Sequence, residues 1–371
     1  MRLYDTARRA VVPFQPGPLV TLYTCGITPY DATHVGHAAT YVLYDVLQRR
    51  LRDLGHETQC VRNITDVDDD ILRKAREVGL PYLELAAAEV ARFQSDMRAL
   101  GMLPAFSEPA ASSAIHDILG FIGMVLHRGH AYQAAGAVYF SVASFDRFGQ
   151  VSHLGRDEML ALAAERGGNP SDPAKRDPLD FVLWQPSAPG EPAWDSMWGP
   201  GRPGWHIECS ALAMRELGTT IDLHGGGTDL IFPHHECEAA QSEAATGERF
   251  VRHWMHAPMV VYQGTKMSKS LGNLVFISEL VKEWEPMAVR LAILDHSYRG
   301  EWVWHDGLVA DATERLERWR EAGAGDASLE EVRAALDDDL DIPRAIRAID
   351  DAAATGRGVH RAAELIGVAL T

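Results

Sequence analysis

Two histidines and two lysines stand where they could act on a bound phosphate. His34 and His37 enclose the sequence HVGH, which follows a Gly/Pro turn and enters an amphipathic helix. The first N–H groups of a helix lack intrahelical partners and the helix dipole favours negative charge there, so two imidazoles add donors to an anion site. Lys266 and Lys269 lie in the polar segment QGTKMSKSLGN, where their charges could neutralise a departing pyrophosphate.

A thiol lies beside this anion site. Cys25 ends the apolar, β-prone run LVTLYT, where it could ligate a metal or act as a nucleophile. Its possible partners Cys209, His234 and Glu238 lie far away in the sequence, so spacing alone does not identify a metal site. His234 and Glu238 are four residues apart and share a helix face. Two thiolates and an imidazole are a sensible ligand set for zinc, and a zinc site therefore stays open at this point.

These side chains need a sheet that brings its ligands to one edge. Hydrophobic patterning predicts a strand over about 19–25, a helix over about 37–55 and a second strand over about 57–62. Such a strand–helix–strand unit places the two strands side by side and parallel, through a right-handed crossover. Ligands bind beyond the carboxyl ends of parallel strands, so we expect Cys25 and residues 63–66 to face one pocket.

The rest of the chain predicts two parts. We expect a Rossmann-like α/β catalytic domain with a parallel sheet over residues 1–285, and a C-terminal helical domain over residues 286–371. A mainly helical insertion is predicted at about 105–200. Residues 168–204 are rich in Pro, Gly, Trp and Asp, which favours an ordered loop that crosses the pocket.

Composition limits the class of protein. The 371 residues are 46% hydrophobic and 23% charged, and the formal net charge of −17 disfavours a polyanionic partner, so we expect no nucleic-acid ligand. Four cysteines in a chain of this length do not suggest a disulfide framework. We find no apolar run long enough to span a bilayer and no signal-peptide pattern, which predicts a cytoplasmic protein without a membrane partner.

The two phosphate motifs, taken together and in this order, resemble the signature sequences of class I aminoacyl-tRNA synthetases. The wider set YTCGITPYD, HVGHA, GRPGWHIECSA, HGGGTDLIFPHHE and KMSKSLGN resembles the cysteine-activating branch of that class. The resemblance implies one zinc ion (Zn2+) per chain, held by Cys25, Cys209 and His234, whose open position binds the substrate thiolate. A direct metal–thiolate bond rejects serine more strongly than a hydrophobic pocket can. Glu238 as a fourth ligand stays open. ATP enters as a substrate with Mg2+ held mainly by its phosphates.

Two groups of enzymes share this branch: cysteinyl-tRNA synthetases, and the mycothiol-pathway ligases that join cysteine to the amino group of glucosaminyl-inositol. Ala39 stands where the synthetases usually have an arginine, and ERGGNP at 165–170 resembles the ligases' ERGGDP, with Asn169 in place of aspartate. The chain also stops soon after LDDDLDIPRAIRAI, where a synthetase would continue into an anticodon-binding domain. Glu238 in the run HECEAAQSEAATGE is synthetase-like, and Leu271 stands where many ligases would have arginine. Both features leave open a truncated synthetase or a paralogue that makes another cysteinyl amide.

The resemblance also implies the residues that act on the substrates. His34, His37, Lys266 and Lys269 are the predicted catalytic residues. The residues predicted to contact the cysteinyl-adenylate or ATP are Cys25, Gly26, Ile27, Thr28, Thr40, Asn63, Ile64, Thr65, Trp205, Gly227, Thr228, Asp229 and Val260. Trp205 is expected to wall the cysteine pocket, with simple core packing as the alternative. Gly227, Thr228 and Asp229 are expected to meet the adenosine and the substrate amine. Val260 is expected to contact adenine through its backbone, with plain strand interior as the alternative.

The predicted reaction is ATP-dependent ligation of L-cysteine to glucosaminyl-inositol through a cysteinyl-adenylate, with release of pyrophosphate and AMP. We expect a monomer whose partners are these three small molecules. The rival enzyme is one that cysteinylates tRNA. A hypothesis of another kind is an inactive paralogue that binds an amino acid or a nucleotide and regulates another process.

Overall fold

The computed structural model describes residues 1–267 and 272–371. The strands of these residues are, in chain order, β1 (Arg2–Asp5), β2 (Ala10–Pro13), β3 (Leu19–Ile27), β4 (Glu57–Ile64), β5 (Ala131–Ala134), β6 (Ala137–Phe140), β7 (Phe181–Pro186), β8 (Gly201–Pro203), β9 (Leu223–Gly227), β10 (Trp254–Ala257), β11 (Val260–Tyr262), β12 (Thr265–Lys266) and β13 (Trp302–Trp304). The α-helices are α1 (Val35–Asp53), α2 (Asp69–Val78), α3 (Tyr82–Ala99), α4 (Ile115–His127), α5 (Arg156–Glu165), α6 (Trp205–Leu217), α7 (Glu236–Thr246), α8 (Ile277–Glu283), α9 (Pro286–Leu294), α10 (Gly307–Ala322), α11 (Leu329–Asp337), α12 (Ile342–Ala354) and α13 (His360–Leu365).

A parallel sheet of four strands, in the order β10-β9-β3-β4, forms the centre of the protein. Because it is covered on both faces, its strands are buried almost throughout; Leu22 and Tyr23 of β3 are inaccessible to solvent. The crossover from β3 to β4 is α1, which buries Val42, Val46 and Leu47. The predicted strand–helix–strand unit is therefore present, and α1 begins two residues earlier than predicted because His34 caps it.

The chain between β4 and β9 contains more strand than its composition suggested. Strands β7 and β8 lie within residues 168–204, which were expected to be a loop, and join β5 and β6 in an antiparallel sheet ordered β5-β6-β7-β8. Leu183 and Trp184 of β7 are completely buried. Proline is compatible with this sheet because Pro203 lies in the edge strand β8 and Pro186 ends β7. The predicted helices of the insertion, α4 and α5, contribute to the same buried hydrophobic cluster as β6 and β7.

The helices that follow α8 share a hydrophobic core with α1. Val46 of α1, Leu291 of α9 and Ile346 of α12 belong to one buried cluster. A buried ion pair crosses the same contact, with Arg290 Nη2 lying 2.6 Å from Asp45 Oδ2. The predicted domain boundary falls between α8 and α9, and the packing is continuous across it. None of the helices in the described residues is long and apolar enough to cross a membrane.

Candidate active site and metal centre

The carboxyl ends of β3 and β4 meet in an unusually close approach. The register between the two strands shifts between Thr24 and Ile27, and within this irregular stretch the N–H of Gly26 donates to Asn63 Oδ1 at 2.8 Å. A Cβ atom on Gly26 would lie 1.6 Å from the carbonyl oxygen of Asn63, so only glycine fits. Asn63 Nδ2 in turn donates to Thr65 Oγ1 at 2.9 Å. These contacts bring the predicted adenylate-binding segments 25–28 and 63–65 to one edge of the sheet.

The two histidines of HVGH lie side by side at the N-terminus of α1. His34 is the N-cap, and its Nδ1 accepts a hydrogen bond from the N–H of Gly36 at 3.1 Å. The rings of His34 and His37 stack with their centroids 3.9 Å apart. Because Nδ1 of His34 is an acceptor, the neutral ring carries its proton on Nε2. Thr40 lies one turn further along, where its hydroxyl donates to the carbonyl oxygen of Gly36.

The lysine segment returns towards this helix N-terminus. Lys266 on β12 is exposed, and its Nζ lies 3.2 Å from Asp229 Oδ2. Lys269 lies outside the described residues. Beyond the gap the chain runs antiparallel to residues 33–35: the N–H of Val35 donates to Val275, and the N–H of Ile277 donates to Thr33. Residues 275–277 therefore lie beside the helix N-terminus that carries His34.

The thiol of Cys25 faces ligating atoms from two distant helices. Its Sγ lies 4.0 Å from Sγ of Cys209 on α6 and 3.5 Å from Oε1 of Glu238 on α7. His234 Nε2 lies 3.0 Å from the same Glu238 oxygen. One ligand atom from each of these four buried residues lies within 4.8 Å of every other. Two sulfurs that bind one tetrahedral zinc at about 2.3 Å lie about 3.8 Å apart, so the donor set and its spacing fit zinc.

A second set of ligating atoms overlaps the first. His235 Nε2 lies 3.3 Å from Cys25 Sγ, and His224 Nε2 lies 3.0 Å from Glu238 Oε2. With Cys25 and Glu238, these two histidines form a further group able to hold a metal. The ring of His256 on β10 supports the set, its Nε2 lying 2.7 Å from His235 Nδ1.

Sequence reasoning assigned no role to His224, His235 or His256. For His235 a sequence signal was available, because it adjoins His234. His224 and His256 are brought to it by neighbouring parallel strands, which the fold decides.

The buried groups of the first set shift one another's pKa values in a way that favours a bound cation. Burial favours the neutral thiol of Cys209, but the hydrogen bond from Cys25 and the nearby His234 lower its pKa to about 6. Burial also opposes ionisation of Glu238, yet His224 and His234 lower its pKa to about 2. Burial disfavours the imidazolium of His234, but Glu238 and Cys209 raise its pKa to about 10. Burial and the neighbouring Cys209 raise the pKa of Cys25. Two of the four groups are thus anionic at neutral pH.

Two further predicted site residues differ in how they sit. Trp205, half-buried at the start of α6, stacks on the ring of His234 with centroids 4.2 Å apart, so it lies against the thiol cluster rather than in the core. Val260 is buried at the start of β11 within the main hydrophobic cluster, as a plain strand residue would be. Its contact with adenine stays a prediction.

The predicted residues 227–229 comprise the last residue of β9 and the first two residues of the turn that follows it. A Cβ atom on Gly227 would lie 2.4 Å from Asp229 Oδ1, so the glycine leaves space for that carboxylate. The turn leads directly to His234 and α7. Asp229 and the predicted metal ligand His234 therefore lie at the two ends of one short segment.

Comparison with known proteins shows which families this chain is similar to. The family described as tRNA synthetases class I (C) catalytic domain matches residues 12–314. A ligase of Acidothermus cellulolyticus named L-cysteine:1D-myo-inositol 2-amino-2-deoxy-alpha-D-glucopyranoside ligase is 50% identical over 356 residues, covering 94% of this chain and 88% of that protein. Proteins with the same name in Thermobispora bispora and Frankia casuarinae are 48% and 51% identical, covering 100% and 94% of this chain and 96% and 77% of their own lengths.

The chain belongs to this family of class I synthetase-like cysteine ligases.

Solved structures agree with the fold of the family. Mycobacterium tuberculosis methionyl-tRNA synthetase in complex with methionyl-adenylate superposes with a TM-score of 0.66 at 16% identity, over 95% of this chain and 88% of that one. The ternary complex of Agrobacterium radiobacter K84 agnB2 LeuRS with tRNA and LeuAMS gives a TM-score of 0.62 at 12% identity, over 96% and 83%. The predicted fold class, a class I synthetase-type α/β fold with a parallel sheet, is confirmed. The family resemblance drawn from the sequence motifs is confirmed as well.

Proposed function

We propose that the protein ligates L-cysteine to the amino group of 1D-myo-inositol 2-amino-2-deoxy-α-D-glucopyranoside in two steps. In the first, the carboxylate of cysteine attacks the α-phosphate of ATP, forming cysteinyl-adenylate and releasing pyrophosphate. In the second, the aminosugar nitrogen attacks the carbonyl carbon of the adenylate, an amide bond forms, AMP leaves and the nitrogen loses a proton. The observation that carries the proposal is the buried Cys25, Cys209, His234 and Glu238 cluster at the same sheet edge as the HVGH helix.

The cluster supports selection of cysteine. Cys25, Cys209 and His234 would hold zinc, with Glu238 as the candidate fourth ligand, and the bound metal would supply a Lewis acid that ligates the substrate thiolate. Trp205 stacks on His234 and would close one side of the space for the cysteine side chain. Serine, which offers a hydroxyl in place of a thiolate, would lose the strongest contact of the site.

The helix N-terminus and the lysine segment support activation of the carboxylate. His34 and His37 would donate to the phosphates of ATP at the positive end of α1. Lys266 and Lys269 would neutralise the charge that develops on the departing pyrophosphate, while Mg2+ enters on the nucleotide. Asp229 would accept hydrogen bonds from the ammonium group of cysteine. No covalent enzyme intermediate is required.

The test separates activation from transfer. ATP–pyrophosphate exchange that depends on cysteine and fails with serine would establish the first step. The preformed adenylate is then offered either the aminosugar or tRNA. Amide formation with the aminosugar and none with tRNA is the expected result, whereas transfer to tRNA alone would replace this proposal with the rival activity.

We further propose that the protein acts as a monomer in the cytoplasm without a nucleic-acid partner. Light scattering tests the oligomeric state, and a tRNA-binding assay tests the absence of a nucleic-acid partner.

A further inference from the structure

An arginine of the insertion reaches into the turn that carries the predicted amine-binding residue. Arg166 follows the last residue of α5 in the ERGGNP segment. Its Nη1 donates to the carbonyl oxygen of Asp229 at 2.6 Å and also to the carbonyl oxygen of Phe232. One guanidinium nitrogen therefore bridges two backbone carbonyls three residues apart. Hydrogen bonds from a charged donor are stronger than those from a neutral one.

The bridged turn connects two ends of the proposed site. Asp229 lies at its start, with its carboxylate 3.2 Å from Lys266 Nζ. His234 lies at its other end, in contact with Glu238. The turn is not a regular helix, since Phe232 has extended backbone angles between helical neighbours. Its carbonyls therefore lack a continuous helical set of donors, and Arg166 supplies donors from outside the segment.

The backbone at the end of α5 places the Arg166 side chain next to this turn. Arg166 terminates the helix, its N–H donating to the carbonyl oxygen of Leu162. Gly167 then takes a φ of +84°, which reverses the chain, and the N–H of Gly168 returns to Ala163 at 2.7 Å. A Cβ atom on Gly168 would lie 2.8 Å from the carbonyl oxygen of Ala163, so the return is tight. Lys175 Nζ also donates to the carbonyl oxygen of Gly168.

We infer that Arg166 is a positioning residue for recognition of the substrate amine. By fixing the carbonyls of Asp229 and Phe232, it sets the direction in which the Asp229 carboxylate points. The insertion thereby becomes part of the specificity apparatus, with Arg166 acting through the backbone carbonyls of Asp229 and Phe232. The inference rests on the proposed function, in which Asp229 binds the ammonium group of cysteine.

The experiment compares substrates with and without an amine. ATP–pyrophosphate exchange is measured with cysteine and with 3-mercaptopropionate, which keeps the thiol and the carboxylate. Arg166→Ala is expected to raise the KM for cysteine about tenfold or more, to leave the KM for ATP within about twofold, and to reduce the preference for cysteine over 3-mercaptopropionate. Arg166→Lys keeps the charge but loses the planar guanidinium. Its KM for cysteine is expected to lie between those of the wild type and Arg166→Ala. Arg156→Ala, on the same helix but paired with Asp177 away from the turn, is the matched control.

A double variant distinguishes positioning from general damage. If Arg166 acts through Asp229, adding Arg166→Ala to Asp229→Asn changes the KM for cysteine by less than about twofold beyond Asp229→Asn alone. Multiplicative effects, or equal losses for cysteine and 3-mercaptopropionate, would overturn the inference while leaving cysteine activation intact.

Amide hydrogen exchange gives a readout that does not depend on activity. Arg166→Ala is expected to speed exchange in the peptide covering 226–236, and Arg156→Ala is not. Unchanged exchange there would overturn the inference. A wild-type protein with no cysteine-dependent pyrophosphate exchange would instead refute the proposed function, and the exchange pattern would still report whether Arg166 holds the turn.

Discussion

Gly26 and Asn63 are in such close contact that a methyl group on one would overlap the backbone of the other. The Gly26 N–H donates to Asn63 Oδ1 at 2.8 Å, and a Cβ on Gly26 would lie 1.6 Å from the Asn63 carbonyl oxygen. Relieving this overlap must separate the ends of β3 and β4, which carry Cys25 and Asn63. The shape of the pocket thus depends on the absence of a Cβ atom at Gly26.

Replacement of Gly26 by alanine is expected to abolish pyrophosphate exchange and to lower the melting temperature. The reason is backbone displacement at the sheet edge, since the clashing atom is not a side chain that can rotate away. Gly123→Ala is the control, because a Cβ there meets no atom within 4 Å and α4 gains helix propensity worth about 0.5–1 kcal/mol. A Gly26→Ala protein with wild-type exchange would contradict the assigned pocket.

Two substitutions of His34 separate its capping role from its proposed phosphate contact. Asparagine can accept a hydrogen bond at the N-cap as His34 does, whereas alanine cannot, which costs about 1 kcal/mol of unfolding free energy. Both variants remove the imidazole and are expected to lower the rate of pyrophosphate exchange about 100-fold or more. Urea unfolding and exchange kinetics measure the two effects. Full activity in His34→Asn would show that the ring serves only as a cap.

Loss of a sulfur ligand is expected to remove both zinc and substrate selection. Cys209→Ala should bind less than stoichiometric zinc by metal analysis and should lose its preference for cysteine over serine in pyrophosphate exchange. Cys60→Ala, which truncates a buried cysteine of the main hydrophobic cluster, should keep its zinc. Glu238→Gln decides the ligand number: full zinc content at high chelator concentration would remove Glu238 from the ligand set. Full zinc in Cys209→Ala would refute the site.

Zinc binding to the metal-free protein is expected to release about two protons at pH 8. At that pH Cys25 and His234 hold protons because their pKa values are raised, whereas Cys209 and Glu238 are already ionised. As the pH falls below about 6, Cys209 gains a proton as well, so the release rises towards about three and the apparent zinc affinity falls. Calorimetry in buffers of different ionisation enthalpy measures the count. Release of fewer than one proton at pH 8 would contradict the ligand assignment.

The buried pair Arg290–Asp45 is expected to stabilise the joint between α1 and the C-terminal helices. Arg290→Met should lower the unfolding free energy by about 3 kcal/mol or more, because Asp45 would stay buried without its closest cation. Burial opposes ionisation of Asp45, but Arg290 and Arg49 lower its pKa. A carboxylate with a lowered pKa stabilises the fold above its unfolded pKa of about 4 and loses that contribution as the pH falls, so the difference should shrink in acid.

A surface pair provides the control for this prediction. Arg73 and Asp70 form an exposed ion pair on α2, with about half of each side chain accessible. Arg73→Met should change the unfolding free energy by less than about 1 kcal/mol, because exposed pairs are screened by water and salt. Equal losses in Arg73→Met and Arg290→Met, measured by urea unfolding, would contradict the role given to the buried pair.

The sequence by itself determined the local elements and the family. The strand before Cys25 and the helix that follows HVGH are set by hydrophobic periodicity and by a capping side chain, which are interactions between near neighbours. The motifs were enough to identify the family, because the residues that bind phosphate and thiol must keep their chemical type and their order in the chain. Strand β7 was not predicted, because the prolines around it locally favour a loop. Its Trp184 is buried by contacts with residues distant in the sequence, which local patterns do not report.

Only the tertiary structure decided which distant side chains meet. Cys25 and Cys209 are 184 residues apart, and no local rule predicts that their sulfurs lie 4.0 Å from each other. The histidines behind Glu238 and the reach of Arg166 to the Asp229 carbonyl are likewise consequences of how β9, α5 and α7 pack. Such contacts depend on the relative placement of whole elements, which is fixed by burial of the shared core rather than by the sequence around either partner.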